Sequence, residues 1–176
     1  MAIVRTILGV IIGAGVWALL ASLMLAAWVG LDNMTGGAIM RILQAGLASV
    51  PAMAPGALIF LGLGLLLFRA MGRGAQPVAA GVFGGLLFIL VAVALDRFMS
   101  AGEATSLVTG LYPAGDIWSR IVGIASADPG QYLWLGYHLL IPLLSGAVGG
   151  GVYDAIAGAV KAERRRRRRP AVSFSE

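Results

Sequence analysis

Four apolar runs divide this chain, at residues 7–31, 51–68, 77–95 and 129–151. A hydrocarbon core about 30 Å thick is crossed by roughly 20 residues of helix. Each run therefore predicts a transmembrane span. Between the second and third runs, residues 69–77 form the one polar break in the middle of the sequence, with Arg69, Arg73 and two glycines. That stretch predicts a tight turn. Two weaker patterns lie in the other connections. In residues 38–50, Ile39, Leu43, Leu47 and Val50 recur at helical spacing, with Arg41 and Gln44 off the stripe. Ile117, Trp118, Ile121, Val122 and Ile124 form a second stripe. Both predict short amphipathic helices lying in a membrane interface.

Local signals place the boundaries. Pro51 and Pro55 predict the first turn of the second span, where a missing N–H is tolerated. Asp128-Pro129-Gly130-Gln131 predicts a capped start to the fourth span, with proline at the first helical position and glutamine at the third. The expected fold is thus an all-α membrane protein of four transmembrane helices in two helical hairpins, with two interfacial helices on one face. The halves look alike. Gly9 and Gly13 correspond to Gly81 and Gly85, Leu31-Asp32 to Leu95-Asp96, and Arg41-Ile42 to Arg120-Ile121. A parallel pseudo-repeat about an axis along the membrane normal would produce that correspondence.

Composition strengthens the membrane reading. The chain has 176 residues, of which 59% are hydrophobic and 12% charged, and its mean hydropathy is +0.90. A soluble domain has about 45–50% apolar and about 25% charged residues. Residues 1–160 are read as one transmembrane domain and residues 161–176 as a polybasic tail. There are no cysteines, so thiol catalysis and zinc–thiolate sites are excluded.

Charge sets the orientation. With the N-terminus inside and four spans, every lysine and arginine except Arg41, Arg97 and Arg120 falls on the inner side. Positive charge is retained in the cytoplasm. The expected location is the bacterial inner membrane, multi-pass, with both termini cytoplasmic.

Side chains with chemistry are sparse. Ionisable residues inside a membrane are the usual sign of function, and the spans offer mainly Tyr137 and His138 as a possible buried polar site, with Ser22 and Ser145. A single histidine between helices is more simply a structural hydrogen-bonding group than a ligand. No catalytic residue, metal site or cofactor is expected, and the protein is read as not an enzyme; bound lipids are expected. Gly146, Gly150, Asp154 and Gly158 are spaced by four, as are Gly9 with Gly13 and Gly81 with Gly85. Small residues at that spacing let helices approach closely in lipid, so these glycines are candidate packing or interface positions. Arg164, Arg165, Arg166, Arg167, Arg168 and Arg169 form a run that attracts anionic lipid at about 1 kcal/mol per arginine near the surface. It is the candidate site for anionic headgroups at the cytoplasmic face, or for an acidic partner; nucleic acid is not expected.

No motif identifies a family. The size and four-span layout are similar to the small membrane subunits of tripartite periplasmic transporters. The turn at residues 69–74 and the Ala-Ala-Gly run after it resemble small tellurite-resistance membrane proteins. Neither resemblance implies a residue role. The functional expectation is a non-enzymatic accessory or scaffold subunit that packs against a larger membrane protein complex or against copies of itself. The alternative is a homo-oligomeric transporter or channel for a small molecule or lipid.

Overall fold

The computed structural model describes residues 2–31, 37–74, 76–98 and 110–168, with side chains in the last helix as far as residue 157. Most of the described residues are helical, and no strand occurs among them. Helix α1 is Ala2–Leu31, α2 is Ala38–Ala70, α3 is Pro77–Phe98, α4 is Ala114–Val122 and α5 is Pro129–Arg168, with a 3-10 turn at Ile124–Ser126 between the last two. Four of these, all but α4, are long and apolar enough to cross a membrane. Their outward faces are apolar too: Ile7 and Ile11 on α1, Leu58 and Leu66 on α2, Leu90 on α3 and Leu144 on α5 are exposed.

The four long helices form a ring in the order α1, α2, α3, α5. Neighbours around the ring pack closely, while α1 and α3, and α2 and α5, lie across the diagonals with little contact. Neighbours are antiparallel. Along α1, Gly30 lies against Ile42, Gly46 of α2 against Leu23, and Gly13 against Leu61. One end of the ring, here called basal, holds the start of α1, the turn at residues 71–74 and the C-terminal part of α5. The distal end holds the start of α2, the end of α3, α4 and the start of α5.

The polar break is a turn built by backbone chemistry. Arg73 N–H donates to the Phe68 carbonyl at 2.8 Å and Gly72 N–H to that of Arg69 at 3.1 Å. These are the paired bonds of a Schellman C-cap, which needs a left-handed residue after the helix. Gly72, at φ 74°, supplies it. The start of α5 is capped as its sequence predicts, with Gln131 N–H donating to Asp128 Oδ1 at 2.8 Å.

Two expectations are corrected. Residues 38–50 do not form a separate interfacial helix: they run without interruption into the second span, so that α2 has 33 residues with Pro51 and Pro55 inside it. A proline within a helix removes one donor, here leaving the Leu47 and Pro51 carbonyls without their usual partners four residues on. Membrane helices tolerate this where neighbouring groups re-satisfy the backbone. The face of this segment that turns inward is also not the predicted stripe. Ile39, Leu43 and Leu47 are exposed and Val50 alone of that stripe packs against the core, whereas Gly46, off the stripe, is buried. The second correction concerns the repeat. A two-fold relation would send Gly9 and Gly13 to α5 and the matching Gly81 and Gly85 to α2. Both pairs face α5, and α4 has no separate counterpart among the described residues of the first half.

The core runs along the ring axis. Trp17, Leu61, Ile117 and Ile141 are fully buried, and Phe60 meets Phe88 edge to face at 5.4 Å. Within α4, Ile117 alone of the predicted stripe is buried; Trp118, Ile121 and Val122 point outward.

Candidate functional site

Two regions collect the candidate residues. The first is the basal half of the ring, where glycines bring backbones together. A Cβ at Gly81 would collide with the Gly146 carbonyl oxygen, one at Gly85 with that of Pro142, and one at Gly150 with that of Pro77. The α3–α5 contact is therefore backbone against backbone. On the other side of α5, a Cβ at Gly13 would lie 2.6 Å from the Gly149 oxygen, and one at Gly9 would lie 3.1 Å from the Tyr153 ring. Gly146 and Gly150 thus face α3 of the same chain. Asp154 is exposed. Gly158 and Arg164 to Arg168 belong to α5 by backbone; their side chains, and Arg169 altogether, lie outside the described residues. Sequence spacing misses Gly149, which sits one position off the predicted row, and the Gly64–Gly84 approach that joins α2 to α3.

The second region is distal and contains the polar residues. Trp134, Tyr137 and His138 share one face of α5 because positions three and four apart lie together on a helix. Tyr137 donates its hydroxyl to the Met24 carbonyl of α1 at 2.7 Å. Trp28 of α1 packs on Tyr137 at 4.9 Å and edge-on against His138 at 5.4 Å. The His138 ring stacks on Trp134 at 3.9 Å, and the Arg120 guanidinium of α4 sits 4.1 Å from the same indole. Such a cation–π contact contributes about 0.5–1 kcal/mol when exposed and more when desolvated.

Pro142 explains a further bond. Lacking an N–H, it cannot serve the carbonyl of His138 four residues earlier. The Tyr112 hydroxyl does so instead, at 3.1 Å. Tyr112 reaches that position because the connector folds down onto the ring. Gly110, at φ 59°, brings the chain against the Ala52 carbonyl, where a Cβ would lie 2.6 Å away. Tyr112 then enters beside Phe88, with ring centroids 5.1 Å apart. Burial pushes its phenol well above the usual range, so it stays a neutral donor. Sequence reasoning passed over Tyr112. The signal was present: a proline inside an apolar span frees a known carbonyl, and a tyrosine stands just before Pro113 in the connector.

A cavity of about 770 Å³ opens among these groups, lined by Trp28, Arg41, Asp116, Trp134 and His138 and by apolar side chains of α1 and α2. His138 is 4% exposed. Its Nδ1 lies 2.8 Å from the Trp134 carbonyl oxygen. Since a carbonyl only accepts, Nδ1 carries the proton. Nε2 makes no hydrogen bond among the described residues. Elsewhere, Ser145 donates to the Ile141 carbonyl, and Ser22 Oγ is buried without a partner. No group of three His, Asp or Glu side chains gathers as for a metal ion among the described residues. Asp96 lies against Gly115 in the first turn of α4, where the positive end of a helix favours an anion.

No family model, curated protein or solved structure matches the chain.

Proposed function

We propose that the protein is a non-enzymatic scaffold subunit of the bacterial inner membrane, which assembles with a larger membrane complex or with copies of itself and holds anionic lipid. The observation that carries this reading is how the buried polar side chains are used. Tyr112, Tyr137, His138 and Ser145 all bond main-chain carbonyls. Catalysis requires polar groups converging on one reacting atom, whereas Tyr137 ties α5 to α1, Tyr112 ties the connector to α5, and His138 and Ser145 bond back within α5 itself. The glycine contacts point the same way, since they fix the ring internally and leave its outward apolar faces for lipid or a second protein.

In this reading both termini are cytoplasmic and the basal end faces inward. Arg5, Arg69, Arg73 and, by backbone, Arg164 to Arg168 belong to that end. The exposed Trp118 and Ile121 of α4 then lie at the periplasmic headgroup level, where indole rings favour the interface. The arrangement is checked by labelling intact cells with an impermeant thiol reagent. Ser119→Cys should react and Gln76→Cys should not. Reaction at Gln76→Cys with Ser119→Cys silent would invert the protein.

Native mass spectrometry directly from membrane vesicles tests the function. The expected species is a discrete assembly heavier than the 18.1 kDa chain, retaining anionic lipid that is shed as salt rises, because surface charges are screened over about 8–10 Å near 0.10–0.15 M. A bare monomer, free of both protein partner and lipid, would overturn the scaffold reading.

A further inference from the structure

We infer that the distal cavity is a binding site for a lipophilic phenol: an aromatic ring with one hydroxyl and an alkyl or prenyl tail. This goes beyond the scaffold role and does not depend on it.

Size and lining come first. A cavity of about 770 Å³ lies within the roughly 300–1,000 Å³ of small-molecule sites, which are mostly apolar with a few placed polar groups. Leu25, Val29 and Ile42 supply apolar wall, and Trp28 and Trp134 supply aromatic wall. Aromatic rings pack favourably in offset or edge-on geometry at about 4.5–7 Å, so a flat ring suits this space better than a bulky aliphatic one.

The polar side selects the head. His138 lines the cavity and is almost completely buried. Its Nδ1 proton is committed to the Trp134 carbonyl. In the neutral ring Nε2 is then a lone-pair acceptor, and it calls for a ligand that donates. A hydroxyl does this; a ketone, an ether or a carboxylate does not. Arg41 and Asp116 both line the same cavity. Their opposite charges select neither an anion nor a cation, which leaves an uncharged head. Arg120 is stacked on the outer indole and fixes the Trp134 wall. Both faces of Trp134 are taken, one by the His138 ring and the other by Arg120, so the hydroxyl is placed at His138 Nε2 and the ring against Trp28 and the edge of Trp134, with the tail along α1 and α2.

The test uses the full chain in phosphatidylcholine nanodiscs and reads tryptophan emission. A ring-brominated 4-octylphenol is compared with its methyl ether, which has the same body and no donor. Bromine in the cavity quenches Trp28 and Trp134. Quenching by the phenol should saturate, with an affinity about fivefold to tenfold tighter than that of the ether, the value of one neutral hydrogen bond. His138→Phe keeps a ring against Trp134 and should make the two probes bind alike. Ala45→Phe, which fills the cavity, should abolish saturable quenching by both. Equal affinities in the unmodified protein would overturn the inference, as would quenching that only rises linearly with partition into the bilayer. Discrimination that survives His138→Phe would place the hydroxyl elsewhere and overturn it equally. The first comparison needs no variant, so a folding defect cannot mask the result.

Discussion

Gly81→Leu is expected to destroy the folded ring. The substituted Cβ would meet the Gly146 carbonyl, with the Gly150 N–H close behind it at 3.2 Å. The obstacle is backbone, which cannot swing aside as a side-chain tip does. Helix α3 would have to move off α5 along its whole basal half. Overpacking a close contact costs typically about 1–3 kcal/mol and sometimes more, and this contact belongs to the upper part of that range. In lipid the loss is not recovered by hydrophobic burial elsewhere, because close packing is itself what holds such helices together. Gly136→Leu is the control, since a Cβ there meets nothing within 4 Å; its expected effect is within about 0.5 kcal/mol. Thermal unfolding in detergent should separate the two variants by many degrees. Equal transition temperatures would mean that α3 and α5 are not in backbone contact.

Tyr112→Phe should cost about 1–3 kcal/mol, the penalty for stranding one buried hydrogen-bonding group. The ring would still pack on Phe88, so the loss isolates the hydroxyl. The stranded group is the His138 carbonyl, which Pro142 has already deprived of its helical donor. A second substitution separates this cause from a general packing defect. Pro142→Ala restores an N–H at that position, and in its presence Tyr112→Phe should cost clearly less. A double-mutant cycle measures the difference. If the two substitutions add without coupling, the phenol does not serve that carbonyl.

The four spans were legible because length and hydropathy suffice for them: a helix in lipid must satisfy its own backbone, and only long apolar runs qualify. Continuity was less legible. Pro51 and Pro55 read locally as a helix start, yet nothing in a local rule excludes a helix already formed upstream, and α2 passes straight through them. Spacing marked Gly81, Gly85, Gly146 and Gly150 as a face for close approach. It did not say which helix lies opposite, since periodicity describes one helix at a time. Gly149 escaped for the same reason, being used by a different neighbour from Gly150. The distal cluster was half visible. His138 and Tyr137 stood out as polar residues in an apolar run. Trp28 came from α1, and Asp116 and Arg120 from α4, and only the ring and the folded connector bring them together.

Helix α5 continues to Arg168 as one element of 40 residues. At 1.5 Å per residue it is about 60 Å long, roughly twice the hydrocarbon thickness. The basic run that reads in sequence as a loose appendage is, through Arg168, the projecting end of a rod whose other end carries His138. Fixing a free backbone costs about 1–2 kcal/mol per residue. A docking surface that meets these arginines finds that backbone already ordered, and at a set height from the ring. Recognition of the run is therefore a question of reach and angle as well as of charge: inserting or deleting one residue between Ala157 and Arg164 would rotate the whole basic segment by about 100° while leaving its composition intact.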